Sequence, residues 1–126
     1  TTWNTGNLKI VTNKFASMAI KTDGSLWAWG YNAYGNLGQN EGTNWKSSPV
    51  QIGTDTTWNK LSTWEEAGFT AIKTDGSLWI WGRGSWRGAL GQSNEVTYSS
   101  PKQIGSGTDW HQSSGDYGSN FAITKQ

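Results

Sequence analysis

Residues 19–27 read AIKTDGSLW, and residues 71–79 read AIKTDGSLW again. Nine identical residues in succession are far beyond chance, and they define a period of 52 residues, the distance from Ala19 to Ala71. The pair Trp29-Gly30 keeps the same spacing and returns as Trp81-Gly82. A period near 50 residues is typical of repeat proteins in which each unit is one small sheet. The chain is therefore predicted to be an all-β repeat protein.

The repeat divides the 126 residues into two complete units and the beginning of a third. Residues 1–53 form the first unit, residues 54–105 the second and residues 106–126 the partial third, all within a single repeat domain. Each unit is predicted to contain four strands, so that the chain has ten. The predicted architecture is a row of propeller blades.

A hairpin is predicted at the centre of each unit. Asp23-Gly24 separates two strand-like runs, and Asp-Gly at such a place predicts a type I′ turn, which needs φ > 0 at both central residues. The following run, residues 26–29, is apolar throughout. Because successive side chains of a strand point to opposite faces, both faces of this strand are apolar. Because both faces are apolar, we expect each strand to be covered on both sides. Pro49 and Pro101 are expected at the starts of strands, where a missing N–H does little harm.

Composition limits the classes of partner. Only 33% of the residues are hydrophobic, but 10 are Trp, so the core must depend on large aromatic rings. The formal net charge of +1 offers no electrostatic basis for binding nucleic acid or a membrane surface. No apolar run reaches the length of a transmembrane helix. Since the chain has no Cys, it can form neither disulfides nor thiolate metal sites.

The segments AIKTDGSLWAWGYNAYGNLGQ and SSPVQIGTDTTW resemble the repeat of the regulator of chromosome condensation (RCC1) family, and more narrowly its bacterial and phage-borne versions. This resemblance implies RCC1-like β-propeller blades, typically seven of them with four strands each. Two and a half blades form an incomplete ring unless other chains complete it, so self-association or assembly with neighbouring subunits is expected. One departure lies at residues 11–16 (VTNKFA), where the repeat is usually rich in glycine.

Catalysis is not indicated by any group of residues. Asp23 and Asp75 each stand alone before Gly and are interpreted as turn formers rather than calcium ligands. Glu65-Glu66 is interpreted as a solvated surface pair, because adjacent side chains point apart. His111 is the only histidine, and it has no Cys or second His with which to bind zinc. We predict no enzyme activity, no metal and no cofactor.

Two groups of side chains are singled out by the repeat. Residues that recur in both units are expected to pack in the structural core, and those that differ between units in the loops after the third strand are candidates for binding. The core candidates are Trp27, Trp29, Trp79 and Trp81; the binding candidates are Tyr31, Asn32, Tyr34, Asn44, Trp45, Arg83, Trp86, Arg87 and Tyr98. Aromatic and Arg side chains are frequent interface anchors, and Trp or Tyr beside Asn also suits stacking on a sugar.

The leading functional hypothesis is a non-enzymatic propeller module that binds protein or forms part of a larger assembly, such as a phage tail, fibre or capsid-decorating protein. A virion or extracellular location is accordingly favoured over the cytoplasm. The alternatives are a lectin-like adhesin that binds glycans, and a regulator of a GTPase or a chromatin-associated protein, as the family resemblance implies. Fold alone does not choose among them, because function resides in loops placed on the scaffold.

Overall fold

The computed structural model describes residues 10–32, 35–40, 44–64, 68–82, 98–116 and 119–124, with backbone alone for residues 64, 98, 111–116 and 119–124. All regular structure in these segments is β-strand. No described element is a helix long and apolar enough to span a membrane.

The described residues form ten strands, the number predicted from the sequence. They are β1 (Ile10–Thr12), β2 (Ala16–Ile20), β3 (Leu26–Gly30), β4 (Lys46–Gln51), β5 (Trp58–Trp64), β6 (Gly68–Lys73), β7 (Leu78–Gly82), β8 (Tyr98–Gln103), β9 (Trp110–Asp116) and β10 (Ser119–Thr124).

The strands form two four-stranded antiparallel sheets and one hairpin. The orders are β1-β2-β3-β4 and β5-β6-β7-β8, and β9 pairs with β10. Strand β5 lies against β1 and β2 of the first sheet, while β9 lies against β5 and β6 of the second. The three units therefore stack in chain order, as two complete blades and half of a third. This confirms the predicted all-β blade architecture.

The Asp-Gly hairpins occur where the sequence predicts them, but their type differs from the prediction. Gly24 has φ +87°, whereas Asp23 does not have positive φ. The Lys21 N–H donates to the Ser25 carbonyl at 3.0 Å and the Gly24 N–H to the Lys21 carbonyl at 3.0 Å. The loop thus contains three residues, and a left-handed glycine ends it. This is the common alternative to a two-residue type I′ turn.

The aspartate of each turn accepts two hydrogen bonds from the serine two residues later. Asp75 Oδ1 accepts from the backbone N–H of Ser77 at 2.9 Å and from its hydroxyl at 2.6 Å, and Asp23 repeats both distances with Ser25. The serine hydroxyl in turn accepts the indole N–H of Trp27 or Trp79 at 2.8 Å. Asp, Ser and Trp at alternate positions therefore hold the turn and the following strand together.

We predict that these turns make stability depend on acid pH. The Ser77 hydroxyl, and then the Ser77 backbone N–H, hold the pKa of Asp75 below its usual 3.8, and Ser25 does the same for Asp23. A carboxyl group whose pKa is lowered by folding stabilises the folded state at pH values above 3.8. This stabilisation is lost as the pH falls through the pKa that the group has in the folded state. The Tm should therefore decrease when the pH is lowered below about 4.

The matched variant is Asp23→Asn combined with Asp75→Asn, which keeps an acceptor oxygen but cannot titrate. Its Tm should fall less than that of the wild type between pH 5 and pH 2, as followed by circular dichroism. Parallel pH profiles for the two proteins would show that these carboxylates do not contribute. Because both carboxylates are exposed, we expect a modest difference.

The prolines lie within strands rather than at their starts, which corrects the prediction. Pro49 is inside β4 and Pro101 inside β8. Both strands lie at the edge of their sheet, and the register with the neighbouring strand shifts between Ala28 and Gly30 and again between Ile80 and Gly82. A residue without an N–H is tolerated at such an irregular edge.

The hydrophobic core lies between the two sheets. One face of the first sheet contributes fully buried side chains such as Met18 and Leu26, and the facing side of the second sheet contributes Phe69 and Trp81. The Trp81 indole N–H donates to the Asn36 carbonyl of the first unit at 3.2 Å. Apolar burial and this hydrogen bond together fix the position of one blade against the next.

Candidate binding surface

Three aromatic side chains lie together at one end of the first sheet, where β2 begins, β3 ends and β4 begins. The ring centroids of Phe15 and Tyr31 are 5.4 Å apart, and those of Tyr31 and Trp45 are 5.1 Å apart in an edge-to-face arrangement. Trp45 is 71% exposed, whereas Phe15 and Tyr31 are half-buried. We call these three residues the aromatic rim. The two inner rings support an outer ring that solvent reaches.

The backbone beneath the rim is held by a short turn. Asn13 Oδ1 accepts the N–H groups of Phe15 and Ala16 at 2.9 and 3.0 Å, as asparagine commonly does in turns. The Tyr31 N–H donates to the Phe15 carbonyl at 2.9 Å, which joins the two loops that carry the rim. The inner part of the rim is therefore set by hydrogen bonds and does not depend on a ligand to form.

The described carboxylates next to the first sheet lie away from the aromatic rim. The Lys14 ammonium lies 5.6 Å from the centre of the Phe15 ring, at the rim. The carboxylates of Asp23 and Asp55 lie at the opposite end, in the hairpin turn and in the link from β4 to β5. Among the described groups, the rim thus combines exposed aromatic surface with a cation, a combination frequent in protein interfaces.

Two family models, both described as Regulator of chromosome condensation (RCC1) repeat, match residues 23–61 and residues 9–36. The two matches overlap at residues 23–36, which include the Asp-Gly turn and β3. Residues 9–61 therefore carry the RCC1 repeat. The resemblance inferred from the sequence is thereby confirmed, while its narrower bacterial or phage character stays a prediction. No curated protein matches the chain significantly.

The solved structures that the RCC1 repeats resemble confirm the β-propeller fold. Human WBSCR16 aligns with a TM-score of 0.77 at 18% identity, over 96% of this chain and 32% of that protein. Prp20p from Saccharomyces cerevisiae aligns with a TM-score of 0.71 at 15% identity, over 98% of this chain and 32% of that one. Yeast RCC1 (Prp20) bound to Kap60 aligns with a TM-score of 0.68 at 14% identity, over 91% of this chain and 29% of that one. The chain spans about a third of these structures.

The three aromatic residues of the rim do not recur in the second unit. The residues 52 positions after Phe15, Tyr31 and Trp45 are Ala67, Arg83 and Thr97. Blade packing, which both units share, therefore does not require aromatic residues at these places. A cluster that the scaffold does not need is a better candidate for function than one that recurs.

The described candidates from the same loops have different environments. Asn44 is exposed next to Trp45. Asn32 is fully buried, and its Oδ1 accepts the Leu37 N–H at 3.0 Å. This burial corrects the prediction for Asn32, which shapes the loop and cannot reach a partner at the surface. The remaining candidates lie outside the described residues, as does the side chain of Tyr98; they are Tyr34, Arg83, Trp86 and Arg87.

The four recurrent tryptophans are buried to different extents. Trp81 is fully buried, and Trp27, Trp29 and Trp79 are half-buried. The Lys21 ammonium lies 3.7 Å from the centre of the Trp27 ring. Trp81 is thus the only one of the four that is wholly inside the core; the others combine packing with partial contact to solvent.

Lys14 and Phe15 were not among the predicted binding residues. They belong to the VTNKFA segment, residues 11–16, which departs from the glycine-rich pattern of the repeat. That departure could have identified both residues from the sequence, because a lysine and an aromatic residue in place of glycine add side chains that the scaffold does not require. Within the described segments, no three His, Cys, Asp or Glu side chains are grouped closely enough to hold a metal ion.

Proposed function

We propose that the chain is a non-enzymatic β-propeller module that binds a protein through the aromatic rim. The observation that carries the proposal is the 71% exposure of Trp45, a large apolar side chain packed edge-on against Tyr31. An exposed tryptophan on a supporting ring is well suited to act as a central anchor in an interface. Lys14 at the same rim would favour a partner that presents carboxylates.

RCC1-type structures provide further support for a protein partner. The solved structure of Prp20p is described together with its binding properties to Gsp1p and histones, and another contains yeast RCC1 bound to Kap60. Regulation of a GTPase or association with chromatin is accordingly one form of the proposal. The net charge of +1 supports contact with a protein more than contact with DNA.

A structural role in a larger assembly, such as a phage virion, is the other form of the proposal. In that setting several copies of the rim would be displayed, and the partner would be a second copy of the chain or a neighbouring subunit. The same experiment tests both forms, because the identity of the captured protein distinguishes a regulatory partner from a structural one.

The test is photo-cross-linking from position 45 in the native source, followed by affinity measurement with the captured protein. We expect one protein to be cross-linked from position 45 and not from Thr22, which is exposed at the opposite end of the sheet. Trp45→Ala should weaken the affinity by about ten- to thirty-fold, as expected of an anchor residue. Ile10→Ala is the matched control, since Ile10 is another exposed apolar side chain, with 51% exposure.

Glycan binding is a second candidate, favoured by the exposed Asn44 beside Trp45. A glycan array probed with the wild type and with Trp45→Ala separates the two functions. Loss of a defined glycan signal in the variant, with no protein captured from position 45, would replace protein binding by carbohydrate recognition. Equal cross-linking from positions 45 and 22 would also contradict a partner at the rim.

A further inference from the structure

A cleft of about 390 Å³ opens between the first and second blades, away from the aromatic rim. Its volume is within the range of small-ligand sites. We call it the inter-blade cleft. Its wall combines four apolar side chains with one ion pair: Ile52, Trp58, Trp79 and Pro101, with Asp55 and Lys73.

One wall of the inter-blade cleft is formed by Trp58. Trp58 is 4% exposed, and its indole N–H makes no hydrogen bond with any described group. The nitrogen is also closed off from solvent, so it does not face the open volume of the cleft, and a ligand there would contact the Trp58 ring. Trp58 therefore contributes apolar surface to the wall of the cleft.

A cation is fixed beside this ring. The Lys73 ammonium lies 4.8 Å from the centre of the Trp58 ring and 4.2 Å from that of Trp79. Its side chain is only 12% exposed, so the two rings hold it in place. The cleft therefore presents a positive charge that two aromatic rings hold in place.

The carboxylate that pairs with this cation is held less firmly. Asp55 Oδ2 accepts a hydrogen bond from the Lys73 ammonium at 2.6 Å, but the Asp55 side chain is 54% exposed. An ion pair with one solvent-exposed partner contributes little, because water competes for the carboxylate. Another carboxylate that enters the cleft could displace Asp55 from Lys73 at small cost.

We propose that the inter-blade cleft binds a carboxylate attached to an apolar group. The carboxylate would accept a hydrogen bond from the Lys73 ammonium, and the apolar group would lie against Ile52 and Pro101. Asp55 occupies the position of the carboxylate when no ligand is bound. A free organic acid and the C-terminal carboxylate of a polypeptide share this chemistry. The proposal is independent of the aromatic rim.

The first experiment is a titration of the ¹⁵N-labelled full chain with hexanoate, followed by NMR of the tryptophan indole N–H groups. The Trp58 signal, assigned with Trp58→Phe, should shift and saturate with hexanoate but not with hexanamide, which lacks the charge. Asp55→Asn should raise the affinity about five-fold, because the internal competitor is weakened. Lys73→Met should abolish the saturable shift.

Lys21→Met is the matched control, since Lys21 also lies over a tryptophan ring but outside the cleft. It should leave the titration unchanged, which separates loss of the site from general loss of a Lys–Trp contact. A parallel titration with the peptide Gly-Ala-Leu, with a free or an amidated C-terminus, distinguishes the source. Tighter binding of the free peptide than of hexanoate identifies a polypeptide terminus, and the reverse identifies a small organic acid. An unmoved Trp58 signal with every carboxylate would overturn the proposal.

Discussion

Replacing Gly24 with alanine is expected to lower the free energy of unfolding by about 3 kcal/mol. Two costs contribute to this loss: the strain of a left-handed backbone and a steric overlap of the new Cβ. Gly24 has φ +87°, which L residues with a Cβ adopt only with strain. A Cβ there would overlap the Thr56 carbonyl oxygen and lie 2.7 Å from the Thr56 carbonyl carbon. Both obstacles are backbone atoms, so no side-chain rotation relieves them. The overlap would also disturb the hydrogen bond from the Trp58 N–H to the Gly24 carbonyl, 3.2 Å long.

Gly53→Ala is the control for this experiment. Gly53 also has positive φ, +63°, but a Cβ there would meet nothing within 4 Å. It should therefore show the backbone strain alone, about 1 kcal/mol. The free energy of unfolding of each variant is measured by urea denaturation, with tryptophan fluorescence as the signal. Equal losses for the two variants would mean that the contact between the turn and the next blade does not contribute.

The same experiment can be repeated in the second unit. Gly76 has φ +85°, and a Cβ there would overlap the Thr108 carbonyl oxygen. The Trp110 N–H donates to the Gly76 carbonyl at 3.1 Å, as Trp58 does to Gly24. Gly76→Ala should consequently match Gly24→Ala. The repeated turn is thus more than a hairpin connection, because its glycine is the point where one blade contacts the segment entering the next.

The sequence was sufficient to predict the blades but not the form of their turns. An internal repeat shows which residues the scaffold requires, and Asp-Gly shows where the chain reverses. Whether Asp23 itself takes positive φ depends on the register of Lys21 with Ser25, and a difference of one residue in register changes the turn type. The Ser25 hydrogen bonds to Asp23 reinforce the observed form, and a turn prediction based on a dipeptide does not include them.

The candidate surface could be predicted only in part, for a related reason. Comparison of the two units identified Tyr31 and Trp45, because they are aromatic where the other copy is not. The same comparison could not show that Asn32 turns inward to bind Leu37, since burial of a loop residue is decided by contacts distant in sequence. Phe15 reaches the rim from a different loop, and only the fold brings it to Tyr31.

Trp81→Ala should lower the free energy of unfolding by about 4 kcal/mol, which is within the range for truncating a buried tryptophan. Trp81 has no exposed surface, and its ring centroid lies 6.1 Å from those of Phe69 and Trp58. The substitution removes packing between the sheets and also leaves the Asn36 carbonyl without the indole donor. Trp81→Phe keeps an aromatic ring but not the donor, so its loss should be intermediate. The measurement is again urea denaturation, followed here by circular dichroism because the variants alter the fluorescence.

Trp29→Ala is the informative comparison, because Trp29 occupies the same position of the first repeat. Trp29 is half-buried, and no described blade covers its face of the first sheet in the way that the first blade covers Trp81. If burial between blades determines the energetic importance of this position, Trp29→Ala should cost about half as much as Trp81→Ala. Equal losses would instead show that tryptophan stabilises each sheet from within. The stability of the repeat would then belong to single blades, and the contact between them would contribute little.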